Sequence, residues 1–359
     1  MTPVTGPGLA SSTAEETALD VLTVEHTTTY RYRRPVTFGP HRLMLRPRDG
    51  HDLRVLASEL DIAPPGGVEW THDVPGNSVA VVSFPGPASE LRFASRLTVE
   101  RRGSPPPHGK VEEGAARYPF VYPTRDRLDL GRMLDQHYPD PADRVGAWAR
   151  GFVLGGGTDT LALLGDLSAG IRAGFDYQGR DEEGTQTPAE TLERGSGSCR
   201  DFAVLLAEAA RVLGFGARVA SGYLRGPTAA ATPSPPRTAG TTHAWTEVFV
   251  PGPGWLALDP TNGTVGGDDL IRVAVARDIH QVVPIAGSFR GAPGDYLGMA
   301  VDVTVRPAAP GDAGLLPGRP APWCEHRHIR RPLQPGHHLP RRTMSGISIL
   351  TRSDNRVQR

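Results

Sequence analysis

A chain of 359 residues carrying 39 basic and 39 acidic side chains has no formal net charge, so bulk electrostatics gives no reason to expect a nucleic-acid or membrane partner. Its two cysteines, Cys199 and Cys324, make no disulfide framework and fit a reducing compartment. The start "MTPVTGPGLASSTAEETALD" lacks the basic head and apolar core of a secretory leader, and no apolar run nears the roughly 20 residues of a membrane span, so a soluble cytoplasmic protein of about two domains is expected.

Residues 1–18 are small, polar and interrupted by Pro and Gly, and are expected to be disordered. From Leu19 the texture changes. "LTVEHTTTYRYRRPV" alternates, with Leu22, Val24, His26, Thr28, Tyr30 and Tyr32 on one face. Period two with β-branched and aromatic residues is a strand pattern. Segments of the same kind continue to "ELRFASRLTVERR", with the turn signal "PGN" at 75–77. Residues 19–103 therefore read as an antiparallel β-sandwich. "GSPPPHGK" opens a linker assigned to 104–124.

From 125 the spacing turns helical in "RDRLDLGRMLDQHY", "DRVGAWARGFVL" and "DTLALLGDLSAGIRAGF". "TPAETLERGSG" predicts a short helix with Thr187 as N-cap, Pro188 at the first position and Glu190 closing the cap. Next, Phe202, Leu205, Leu206, Ala209, Val212 and Leu213 form a stripe at helical spacing, stopped by Gly214 and Gly216. "ARVASGYL", "HAWTEVFV" and "GWLALD" then read as strands, the first two separated by a loop at 226–241. Two more strands are expected near 280–286 and 299–306. A buried helix followed by an antiparallel sheet makes the chain α+β, with a core assigned to 125–306. Residues 307–359, rich in Pro and Arg, are expected to form a disordered tail.

The chemistry concentrates at "RGSGSCRDFAVLLAEAARVLGFG". Cys199 stands at the first turn of a helix, where N–H groups and the positive end of the dipole favour thiolate over thiol. The glycines ahead of it let a substrate approach the backbone closely. Arg200 and Asp201 are expected to make structural pairs at the helix start, Asp201 complementing the dipole as well. A nucleophilic thiol needs a base and the base needs an orienting group. His243 lies at the start of one predicted strand and Asp259 at the exit of the next, so the three can converge from neighbouring elements. Taken singly, a cysteine packs as a small hydrophobe, a strand-start histidine is structural, and a DP is a turn.

"GSGSCRDFAVLLAEAARVLGFGARVASGYL", "THAWTEVFVPGPGWLALDPTNG" and "RDIHQVVPIAG" closely resemble the bacterial transglutaminase-like proteins, whose core is papain-like. "YRYRRPVTFGPHRLMLRPR" and "DVPGNSVAVVSF" resemble the β domain preceding that core. The resemblance implies a papain/transglutaminase-like fold, with the cysteine helix packed on an antiparallel sheet. It makes Cys199 the nucleophile, His243 the general base and Asp259 the orienting acid. It also nominates Tyr177 as an oxyanion or substrate-lining residue, against a packing role; Trp245 and Asn262 join it as candidates from their places beside the triad, Trp245 under the histidine or on the cleft wall against core packing, and Asn262 in a hydrogen bond near the triad against a turn role. Ser198 departs from the family, which carries a larger apolar residue there, and His280 replaces a commoner aromatic.

Cys324, His326, His328, His337 and His338 match no standard zinc spacing, and no metal or cofactor is expected. The expected partner is a peptide or protein substrate, with a peptide-ligating enzyme suggested by analogy alone. Two functions stand: cysteine-dependent acyl transfer on amides, ending in hydrolysis or transfer to an amine, and a non-catalytic peptide-binding module on the same fold.

Overall fold

The computed structural model describes residues 19–102, 110–155, 157–179, 184–225, 242–309 and 312. The readings for 1–18, for 226–241 and for the tail from 313, Cys324 and its histidines included, fall outside the described residues. The alternating segments form six antiparallel strands: β1 (Leu19–Phe38), β2 (His41–Leu43), β3 (Leu53–Ala63), β4 (Gly67–His72), β5 (Ser78–Ser83) and β6 (Ala88–Arg102). β3, β6 and β1 make one sheet, and β4, β5 and β2 the facing one. Tyr32, Val36, Phe38, Leu43, Leu45, Ala80, Val82, Leu91 and Phe93 fill the space between them. The turn expected at "PGN" separates β4 from β5.

The segment read as a linker is folded from Lys110 onward. It forms the short strand β7 (Arg117–Tyr118), and its alternating aromatics pack inward. Tyr118 and Phe120 lie against Phe215. Tyr122 donates to the Phe249 carbonyl at 2.6 Å and accepts the Gly216 N–H at 3.1 Å. Three aromatics at alternate positions bring more apolar surface than a solvated linker can leave in water.

The helical pattern gives α1 (Thr124–Leu130) and α2 (Arg144–Arg150), then the short strand β8 (Thr158–Asp159), paired with β7. After them come α3 (Thr160–Gly174), β9 (Asp176–Tyr177), α4 (Pro188–Arg194), β10 (Ser196–Gly197) and α5 (Cys199–Val212). Thr187 caps α4 in a reciprocal box with Glu190. α5 is apolar and buried on more than the predicted stripe: every residue from Asp201 to Arg211 is buried. Such a helix is central rather than surface-lying. Glu208 and Arg211, buried within it, pair at 2.5 Å. Glu208 also accepts the His137 N–H at 2.8 Å, and Arg211 donates to the Arg277 carbonyl at 2.6 Å, so neither charge is left uncompensated.

α5 packs on an antiparallel sheet ordered β14 (Thr264–Val265), β13 (Gly254–Asp259), β12 (Thr242–Val250), β11 (Ala217–Leu224) and β15 (Leu270–Ala276). Among the described residues no helix is long and apolar enough to cross a membrane.

The closing strands depart from the expected core boundary of 306. β16 (Ile285–Ala286) adds to β2, while β17 (Phe289–Arg290) and β18 (Tyr296–Pro307) both add to β1. The twenty residues of β1 need a second neighbour along the side that β6 leaves open. β18 supplies it, setting Val305 opposite Val24 and Val303 opposite His26. Beyond the strand, Asp312 accepts from Thr23 at 3.1 Å and pairs with Arg306 at 2.5 Å. The chain thus returns to its first domain after completing the second.

The two domains share apolar surface. Leu22, Val24, Leu97 and Val99 of the sandwich form one cluster with Tyr223, Ile271 and Val273 of the core sheet. Asn77, only 3% exposed, reaches across to the edge strand β15. Its Oδ1 accepts the Val275 N–H at 2.9 Å and its Nδ2 donates to the Val275 carbonyl at 2.8 Å, as a further strand would. Asn77→Ala leaves both backbone groups buried without partners and should cost about 3 kcal/mol, read as a shift in denaturant midpoint. An unchanged midpoint would show the contact to be incidental.

Candidate active site

The thiol is placed by a tightly built turn. Gly195 ends α4 with φ +62°, a left-handed conformation that glycine adopts without steric cost. The chain then runs beside β9 as a short parallel pair, with Asp176 N–H donating to the Gly195 carbonyl and Gln178 N–H to that of Gly197, each at 2.9 Å. A Cβ on Gly197 would lie 2.9 Å from the Asp201 Cβ and 3.1 Å from the Phe202 ring, so no larger residue fits.

Asp201 is fully buried and holds this turn together. Its carboxylate accepts the Ser198 N–H and the Ser198 hydroxyl, each at 2.8 Å, and the Gln186 N–H at 2.7 Å. The sequence suggested a structural pairing at the helix start and a dipole effect for Asp201 but not its partners; the Ser-x-x-Asp spacing that starts at Ser198 was the available signal. It also accounts for Ser198 at a position where the resemblance led to the expectation of a larger apolar residue. A buried carboxylate needs donors, and a hydroxyl supplies one. Cys199 follows as the first residue of α5, half-buried.

His243 and Asp259 arrive from the adjacent strands β12 and β13, 2% and 1% exposed. His243 Nε2 lies 2.8 Å from Asp259 Oδ2. A carboxylate can only accept, so Nε2 carries the hydrogen and Nδ1 is the nitrogen left for the thiol. The far side of the carboxylate is held as well. Oδ1 accepts the Thr261 N–H at 3.0 Å and the Asn262 N–H at 3.3 Å, and Oδ2 accepts the Asn262 side-chain amide at 2.7 Å.

The electrostatics follow from this packing. Burial pushes the Cys199 thiol up, but the hydrogen bond and charge of His243, the Ala244 N–H and the charge of Arg200 outweigh it and hold the thiol below its ordinary value. Burial pushes His243 down, but Asp259 and the sulfur raise it above the ordinary imidazole range. Burial would raise Asp259, yet His243 and Asn262 keep it below the usual carboxylate range. The three groups titrate as a unit, and the arrangement favours a thiolate beside an imidazolium.

The structure thus brings Cys199, His243 and Asp259 together, and it gives the other three candidates different places around them. Asn262 holds the acid: its amide donates to Asp259, which is the hydrogen bond near the triad that the sequence allowed. Trp245 is 1% exposed and lies under the imidazole, rings 6.3 Å apart and 26° from parallel. Tyr177 lies on β9 beside Gly197 and packs edge-on against Phe202, 6.4 Å between rings. Among the described residues no group of His, Cys, Asp or Glu is placed to hold a metal ion.

Comparison with known proteins agrees with this architecture. Residues 22–100 match the model of the bacterial transglutaminase-like N-terminal region, and 147–260 that of the transglutaminase-like superfamily. An uncharacterised protein of Mycobacterium tuberculosis is 32% identical over 295 residues, spanning 78% of this chain and 91% of that one. One of Mycobacterium leprae is 25% identical over 288 residues, spanning 78% and 97%. A crystal structure from Cytophaga hutchinsonii, of a protein provisionally named a cysteine protease, aligns with a TM-score of 0.60 at 17% identity. It covers 81% of this chain and 92% of that one, a likeness of fold.

The depressed thiol has a measurable consequence. The rate of Cys199 alkylation by iodoacetamide should rise with pH through a midpoint below the 9.0 of a free thiol. His243→Ala removes the two largest opposing influences, so the midpoint should climb to the ordinary thiol range or above. A wild-type midpoint near 9.0 would remove the ion pair from consideration.

Proposed function

The chain belongs to the transglutaminase-like superfamily, and on that premise we propose that it is a cysteine enzyme transferring acyl groups from peptide or protein amides through a thioester. The observation that carries this reading is the buried relay in which Asp259 fixes the His243 tautomer and leaves Nδ1 for the Cys199 sulfur.

In the proposed reaction the Cys199 thiolate attacks the amide carbon. The oxyanion forms at the N-terminus of α5, where first-turn N–H groups and the helix dipole favour negative charge. As the C–N bond breaks, the His243 imidazolium gives its Nδ1 proton to the leaving nitrogen. Ammonia or an amine departs, and an acyl thioester remains on Cys199. Neutral imidazole then takes a proton from water or from an incoming amine, which attacks the thioester and regenerates the thiolate. Hydrolysis and transamidation share every step up to the thioester. Asp259 keeps the ring in one orientation throughout and stabilises its charged form.

A non-catalytic peptide-binding module is the weaker reading. A fold that only binds has no use for a sulfur, an imidazole and a carboxylate kept in mutual contact against the unfavourable burial of all three.

The test is capture of the thioester from a library of peptide amides by mass spectrometry, with and without a lysine-like amine. Cys199→Ala should give neither adduct nor turnover while keeping the fold. His243→Ala should lower kcat/KM by about 10³ or more, and Asp259→Asn by less, on the order of 10². Turnover should follow a bell. Its acidic limb is protonation of the depressed thiolate, and its alkaline limb, set by the raised His243, lies above 6.5. Unimpaired turnover in Cys199→Ala would end the proposal.

A further inference from the structure

One strand of the core is held by the first domain at the level of the imidazole. In β11, Gly222 lies opposite His243 and Tyr223 opposite Thr242. On its other side β11 shifts register against β15 between Ser221 and Gly222. Such bulges re-aim side chains and recur beside active sites. The backbone here has no slack: a Cβ on Gly222 would lie 2.0 Å from the Ile271 carbonyl oxygen and 3.0 Å from the Trp245 ring.

The residue following this kink leaves its own domain. Tyr223, 2% exposed, inserts among Leu22, Val24, Leu53, Leu97 and Val99 of the sandwich. There its hydroxyl meets Nδ1 of the equally buried His26 at 3.0 Å, the rings edge to face at 5.7 Å. Nε2 of His26 is engaged by Thr28 Oγ1 at 2.9 Å, so the imidazole is fixed at both nitrogens. Burial lowers His26 to about 4, which leaves it uncharged at neutral pH and able to hold the phenol by hydrogen bonding alone.

We propose that Tyr223, held by His26 of the β-sandwich, is a positioning residue for His243: the first domain fixes the kinked segment of β11 from which β12 presents its imidazole to Cys199. The inference rests on the acyl-transfer reading for its meaning in catalysis, but not for its geometry. It assigns the sandwich a part in the chemistry. The hydroxyl touches neither substrate nor thiol and acts only through strand placement. Small displacements of a catalytic group carry large rate penalties, so a loosened β11 should show in the reactivity of the thiol before it shows in the fold.

Tyr223→Phe keeps the ring in its pocket and removes only the hydrogen bond. The expected result is a folded protein whose Cys199 alkylation midpoint moves up by about one pH unit, so that alkylation at any pH well below the wild-type midpoint falls about tenfold. On any amide substrate found, kcat should fall with KM unchanged. His26→Ala should behave alike, and His26→Asn, which keeps a polar group near the Nδ1 position, should recover most of the loss. The His26 pair gives the same readout should Tyr223→Phe fail to fold. A lowered Tm with wild-type midpoint and kcat in these variants would overturn the inference and make the contact purely structural. His243→Ala, run in parallel, separates the two ideas. If it shifts the alkylation profile and Tyr223→Phe does not, positioning by Tyr223 fails while the reading of the site stands. If neither shifts the profile, both fall.

Discussion

A sulfur anion that is partly shut off from water persists only beside a cation that cannot drift away. That requirement organises the site. Cys199 needs a protonated imidazole, and burial works against the protonated imidazole. The remedy is Asp259, which sits 2.8 Å from Nε2 and is itself kept ionised by Asn262 and two backbone N–H groups. Each group is unfavourable where it lies unless its neighbour is present. The chain of compensation ends at backbone amides of the turn after β13, which the fold fixes without further charge. Losing any member should therefore disturb the other two more than a sum of pairwise contacts implies.

The residues at the centre were legible because they fall at ends of elements with strong local signatures. Cys199 opens a helix whose period is clear, His243 opens a strand, and Asp259 closes one before a DP turn. Other features were hidden because they depend on long-range placement. Nothing local says that Val303 and Val305 will lie opposite residues some 280 positions earlier in β1. Likewise Tyr118, Phe120 and Tyr122 looked like part of a linker because their alternation is too short to announce a partner, and the partners, Phe215 and Phe249, come about a hundred residues later. Asn262 could be read as a turn former, as a substrate contact or as a hydrogen-bond partner near the triad. Only the position of the carboxylate decides that its amide faces inward.

The same long-range pairing changes what the two domains are. A sandwich joined to a core by a linker would leave the relative position of the pair free. Here the chain crosses twice, out through the folded segment after Lys110 and back through the returning strands β16 to β18, and the interface joins a shared apolar cluster to polar contacts such as Arg101 with the Gly267 carbonyl and Asn77 with Val275. Asn77 completes the edge of β15 from the sandwich side, and Tyr223 fills a pocket of the sandwich from the core side. Contacts given in both directions make rigid-body movement between the parts costly, so the sandwich and the core move as one body.

Placement along the axis of α5 is the remaining condition, since one residue of slippage moves a helix by about 1.5 Å, enough to break a thiolate–imidazole contact. Apolar packing alone resists such sliding weakly, because one smooth stripe of Ala, Leu and Val resembles the next. Two buried carboxylates remove the ambiguity. Asp201 ties the first turn to Gln186, and Glu208 ties the third to the backbone of His137 and Tyr138. Both are acceptors that would be stranded by a shift in either direction, at a cost of several kcal/mol. Buried polar groups of this sort add little net stability compared with well-packed hydrophobes, but they specify one register. The helix thus carries charge inside a hydrophobic core for the same reason that Gly197 carries no side chain: each restricts where the sulfur of Cys199 can be.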